Sequence, residues 1–167
     1  GQTATVTFNN TLRRGNLKVI KTSEDSFVEG IKFHLYGTSL SGLTVDEYAV
    51  TDESGTAEFN NVLISGDEPY TLEEYGTDKK YVIPDKQFVM IEWNKTINRN
   101  FRNVLKKWRA EACKVDRSVK KTGAAQGNAT LEGAVYGLYK DGILIEKYTT
   151  DKNGCFTTEY YPCGDDW

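Results

Sequence analysis

Three short stretches each set one polar side chain in phase with apolar ones. In NLKVIKT (16–22) Lys18 alternates with Ile20, in YTLEEY (70–75) Glu74 alternates with Tyr70 and Leu72, and in FRNVLKK (101–107) Asn103 alternates with Phe101 and Leu105. Alternate residues of a strand share a face. Each stretch also has a second face, and Leu17 with Val19 competes for the core against Lys18. Together the three supply an amine, a carboxyl and a carboxamide, the parts of an amide exchange. Burial favours a neutral amine and a protonated carboxyl. A neutral amine is a nucleophile, and a protonated carboxyl beside an amide makes its carbon more electrophilic. Packing that holds the reactants together removes most of the entropic barrier. The expected product is an isopeptide bond between Lys18 and Asn103. Glu74 shuttles the proton, and ammonia leaves.

The elements that must position these groups read as short strands. Tyr, Thr, Val and Phe are common, Gly numbers 15 and Pro 3, a mix that favours strands and turns. Strands are expected at 16–22, 32–37, 47–52, 56–62, 70–75, 86–93 and 96–105, broken by Gly, Asp and Ser clusters. Seven short strands at this spacing predict an all-β, antiparallel β-sandwich. No stretch shows a convincing helical period.

The pattern recurs along the chain. FNNTLRRGNLKVIK (8–21) falls on FRNVLKKWRAEACK (101–114) with a shift of 93 residues. EGIKFHLYG (29–37) resembles EGAVYGLYK (132–140), and TDESGTAEF (51–59) resembles TDKNGCFTT (150–158). The reading is a tandem array: residues 1–14 end a preceding repeat, 15–107 form a complete one, and 108–167 begin a following one. The chain is expected to be a piece of a longer protein.

LKVIKTSED, GIKFHLYG, TDESGTAEFNNV, YTLEEYGTDKKYVIP and the terminal FRN resemble the B-type repeat of Gram-positive collagen adhesins. Domains of this kind, prealbumin-like in fold, also build pilus backbone and tip subunits. The resemblance covers about residues 15–107. It implies a reverse-immunoglobulin-type sandwich, a structural stalk or spacer role on the cell wall, a Lys18–Asn103 bond and Glu74 as the assisting acid. It also implies that Asn10 served a lysine of the preceding repeat. Glu73 is the neighbour most easily confused with Glu74, and its strand phase puts it on the other face. In the following repeat Glu111 stands where Lys18 would be, and 118–128 reads as an inserted loop, so no bond is expected there. Half a sandwich leaves an open sheet edge, and residues 3–12 of the same or a neighbouring copy are candidates to pair with it.

Other classes have less behind them. The net charge of −3 lacks the basic surplus of a nucleic-acid binder. No run approaches the ~20 apolar residues of a membrane span. His34 is the only histidine, there is no CxxC pair, and neither metal nor cofactor is expected. Three cysteines do not suggest a disulfide framework, although Cys155 and Cys163 could bridge. Glycosylation sequons begin at Asn9, Asn94 and Asn128. Glu73 and Glu74 point opposite ways along a strand and cannot flank one glycosidic bond. The alternative function is a ligand-binding module for host matrix protein or glycan, with Trp93, Trp108 and Tyr48 as candidate sugar-stacking residues. The expected partners are neighbouring repeats of the same polypeptide.

Overall fold

The computed structural model describes residues 1–115 and 130–167. The expected inserted loop at 118–128 and the sequon asparagine at 128 lie outside the described residues. The chain divides into two compact units, Gly1–Val104 and Leu105–Trp167.

The first unit holds eight strands: β1 (Arg14–Ser23), β2 (Lys32–Thr38), β3 (Thr44–Val50), β4 (Thr56–Leu63), β5 (Tyr70–Tyr75), β6 (Tyr81–Val82), β7 (Gln87–Val89) and β8 (Thr96–Leu105). They form two four-stranded sheets, in the orders β4-β1-β8-β6 and β3-β2-β5-β7. Inward residues alternate along each strand, as a half-buried sheet requires. The core joins Leu17, Val19, Phe59 and Phe101 from one sheet to Phe33, Leu35, Leu72 and Val89 from the other. Tyr70, fully buried, donates its hydroxyl to the Leu63 carbonyl at 2.8 Å, and burial pushes its pKa up to about 12.

Strands β5 and β8 fall where the sequence placed them, and β6 is a short strand outside the expected seven. One pairing departs from the antiparallel expectation: β1 and β8, the first and last strands, run parallel. The expected strand over 3–12 is not formed. Residues 1–13 carry no strand and are exposed; β1 already has β4 and β8 on its two sides, so its sheet offers that segment no edge there.

A tight turn fixes the end of β1. The Asp52 carboxylate accepts the Ser54 and Thr56 amides, both at 2.9 Å, and Gly55 has φ +79°. The Gly55 carbonyl accepts the Lys21 amide at 2.7 Å. A Cβ at Gly55 would lie 2.6 Å from the Lys21 carbonyl oxygen, so only glycine fits this close approach.

The second unit holds β9 (Lys107–Trp108), β10 (Glu111–Cys113), β11 (Val135–Lys140), β12 (Ile143–Thr149), β13 (Cys155–Thr157) and β14 (Tyr161–Pro162). They pair two by two: β9 with β14, β10 with β13, and β11 with β12. Tyr136, Tyr148 and Phe156 pack ring against ring between these pairs. Cys155 bridges to Cys113, not to Cys163, which is free and exposed. The reason is register: Cys113 and Cys155 are directly opposite on β10 and β13, with Cα atoms 4.0 Å apart.

Candidate functional site

Strand β1 buries Gly15, Leu17, Val19 and Lys21 and turns Asn16, Lys18 and Ile20 outward. Leu17 and Val19 win the core, and the residue in phase with them at the far end of the strand is Lys21. Lys18 is therefore not at the site. It is half-buried on the opposite face, in register with Glu58 on β4 and Asn98 on β8.

Glu74 and Asn103 do face inward, in phase with Leu72 and with Phe101. Lys21 and Asn103 lie two residues apart in register on neighbouring strands, since Lys21 pairs with Phe101 and Ser23 with Asn103. Glu74 comes from the other sheet, opposite Phe33. Its carboxylate spans the pair. Lys21 Nζ donates to Oε2 at 2.7 Å, and Asn103 Nδ2 donates to Oε1 at 3.0 Å. All three residues are buried, Asn103 completely, and the side chains of Lys21 and Glu74 are 0% and 1% exposed.

A charged pair so far from water is costly and is retained only with good geometry. Burial lowers the pKa of the Lys21 amine, while its hydrogen bond to Glu74 pulls the other way. Passing the ammonium proton to the carboxylate would leave a neutral amine and a neutral acid. Asn103 Oδ1 is buried with no hydrogen-bond partner, a state that costs about 1–3 kcal/mol in a packed core. Half a turn of the carboxamide would present Oδ1 to Glu74, where a protonated carboxyl would polarise the carbonyl.

The sequence could have pointed to Lys21. Across the 93-residue shift only Phe8/Phe101, Asn10/Asn103, Leu12/Leu105 and Lys21/Lys114 are identical in the aligned stretches. The lysine that recurs is Lys21, whereas Lys18 falls on Glu111.

A family model described as the SpaA prealbumin-like fold domain matches residues 15–104. The chain belongs to that family. The matched span covers the eight strands but for one residue at each end and holds Lys21, Glu74 and Asn103. Among solved structures, the TIE protein of Bacillus anthracis is 24% identical with a TM-score of 0.64, over 91% of this chain and 27% of that one. The chain thus spans about a quarter of that protein, and at this identity the likeness speaks for the fold alone. A streptococcal ancillary pilin is 18% identical with a TM-score of 0.46, over 91% of this chain and 51% of that one. The shaft pilin of Lactobacillus rhamnosus GG is 14% identical with a TM-score of 0.44, over 86% and 81%. No curated protein matches.

The remaining candidates lie apart from this SpaA-type core. Glu73 faces outward, as its strand phase requires, and binds Lys86 at 2.8 Å, which holds its carboxyl below the usual range. His34 stacks between Tyr36 and Tyr48, at 4.5 and 4.3 Å, and its Nε2 meets Asp46 at 2.6 Å. Arg13 lies over the Trp93 ring at 4.8 Å, and Trp108 packs against Tyr161 and Trp167. Each of the three aromatics expected to stack on sugar is thus engaged by its own neighbours. Asn10 is exposed and outside any strand.

Proposed function

We propose that residues 15–104 are a load-bearing stalk domain of a bacterial surface protein of the adhesin or pilin kind, closed by a self-formed amide between Lys21 and Asn103. The observation that carries this reading is the single carboxylate, Glu74, held by both the amine and the carboxamide in a dry core. Lys21 Nζ attacks Asn103 Cγ. Glu74 takes the amine's proton at Oε2 and returns one at Oε1 to the departing Nδ2. The Cγ–Nδ2 bond breaks, the Nζ–Cγ bond forms and ammonia leaves. The reaction runs once per molecule, so the domain is not an enzyme in the turnover sense. Such a protein works outside the cell, joined to neighbouring domains of its own polypeptide.

The topology suits such a bond to bearing load. Strands β1 and β8 are neighbours and parallel, and both reacting residues lie toward their C-terminal ends. Tension entering at Arg14 runs along β1 to Lys21, crosses the amide and leaves through Leu105. Residues 22–102 are bypassed, and the strands between are not peeled apart. Reduction cannot break this link.

The alternative reading, a module for host matrix protein or glycan, has Trp93, Trp108 and Tyr48 as its stacking residues. Tyr48 lies against His34, Arg13 covers Trp93, and Trp108 packs on Tyr161 and Trp167, so the three do not form one strip, which favours the stalk.

Intact-mass measurement of the purified 167-residue chain tests the bond. The wild type and Lys18→Ala should each be lighter than calculated by one ammonia. Lys21→Ala, Glu74→Gln and Asn103→Ala should each show their full mass. A wild type at full calculated mass would end the proposal.

A further inference from the structure

The Lys21–Glu74–Asn103 group sits at one end of the sandwich. Strand β1 ends two residues after Lys21, β5 one residue after Glu74 and β8 two residues after Asn103. Sheets alone shield side chains poorly so near their strand ends. Yet the side chains of Lys21 and Glu74 are 0% and 1% exposed, and Asn103 is completely buried. Cover must come from the two loops beyond the strand ends: 24–31, which follows β1, and 76–80, which follows β5.

One carboxylate joins those loops. The Tyr81 hydroxyl lies 2.8 Å from both oxygens of Asp25, and Lys80 Nζ lies 2.7 Å from Oδ2. Asp25 is braced from its own side by the Ser23 hydroxyl at 2.6 Å and by the Phe27 amide. On the other side, the Asp78 carboxylate accepts the Lys80 amide at 2.9 Å, and the Asp78 carbonyl accepts the Tyr81 amide at 3.0 Å. Lys80 Nζ also lies over the Phe27 and Tyr81 rings, at 5.4 and 4.8 Å, and Tyr81 itself is fully buried. This clasp is tied to the reacting group: the amide of Glu24, next to Asp25, donates to the Asn103 carbonyl at 3.1 Å.

Water comes close from outside. A cleft of about 290 Å³ lies among Phe27, Ile31, Glu74, Thr77, Lys80 and Tyr81, roomy enough for several water molecules. It reaches residue 74, while the Glu74 side chain stays dry. That dryness matters to the chemistry. In water a lysine ammonium and a carboxylic acid differ by about six pKa units, so the neutral amine–acid pair is roughly one part in a million of the ion pair. Excluding water penalises both charges and narrows that gap.

We propose that Asp25, Lys80 and Tyr81 form a seal that keeps water from the Lys21–Glu74–Asn103 group, with Asp25 and Tyr81 as positioning residues for the cross-link. This rests on the chemistry assigned above to that group. The seal holds the two loops shut; bond making stays with Lys21, Glu74 and Asn103. When the seal is broken, water from the cleft solvates the ion pair, the ammonium keeps its proton, and the amide forms slowly.

The test follows the 167-residue chain by intact mass after a short pulse of cell-free synthesis. Asp25→Ala and Tyr81→Phe should lose ammonia at least about tenfold more slowly than the wild type, because each pKa unit restored to the gap cuts the reactive population about tenfold. Lys86→Met breaks an ion pair with Glu73 on the outer face of β5 and should bond at the wild-type rate. A second arm uses Asn103→Ala, which cannot bond. Adding Tyr81→Phe to it should raise acylation of Lys21 by an amine reagent, relative to Lys18, at least about tenfold. Wild-type bonding rates in Asp25→Ala and Tyr81→Phe overturn the proposal. Slow bonding with Lys21 still protected from acylation marks a merely structural role and also overturns it. A wild type that never loses ammonia sinks the reading of the first unit instead, and the acylation arm then reports on the seal by itself.

Discussion

Replacing Asn103 by alanine removes the electrophile and leaves the Lys21–Glu74 pair in place. The proposed amide between residues 21 and 103 would close a loop of about 80 residues. On the chain-entropy account of cross-links, losing that closure costs ~4.5 kcal/mol. The bonded wild type has already released Nδ2 as ammonia, so no Nδ2 hydrogen bond adds to this. For a unit of this size each kcal/mol moves Tm by about 4–8 °C, so the fall should be roughly 18–36 °C. Without a bond in the wild type, the variant loses instead the Nδ2 hydrogen bond to the carboxylate, worth about 1.5–3 kcal/mol, a fall of roughly 6–24 °C. Calorimetry of wild type and variant, with intact masses taken from the same samples, separates the two. A small fall together with a wild type at full mass would refute the reasoning.

Gly55→Ala forces a Cβ against the Lys21 carbonyl oxygen at positive φ; strain and crowding should together cost about 2–4 kcal/mol. Because the same turn anchors Lys21, a fraction of uncrosslinked chain should appear in the mass spectrum. Asp25 accepts hydrogen bonds from Lys80, Ser23 and Tyr81, and these hold its carboxyl well below the usual carboxylate range. Its folded pKa is depressed, so the stabilisation is present above the ordinary carboxylate pKa and is lost as the pH falls below it. Asp25→Asn should flatten that acid limb in denaturant titrations run from pH 5 downward. The Cys113–Cys155 bridge closes 42 residues of sequence separation, equivalent to ~4 kcal/mol. Thiol reductant should lower the melting transition of the second unit and leave that of the first unchanged.

The sequence by itself determined most of the frame. Alternation marked β5 and β8 to the residue, and it set Glu74 and Asn103 on their inner faces and Glu73 on the outer one. What alternation could not decide was which face of β1 meets the core. NLKVIKT offers Leu17 and Val19 on one side and Ile20 on the other, and a strand read alone is symmetric in that choice. The packing of both sheets broke the tie for Leu17 and Val19, which carried Lys21 inward and turned Lys18 out. Nor could the sequence pair Cys113 with Cys155, because that follows from the register of two strands 42 residues apart. The parallel run of β1 beside β8 was hidden for the same reason. Which strands become neighbours is a property of the whole sandwich, set by burying both apolar faces at once, and no local pattern encodes it.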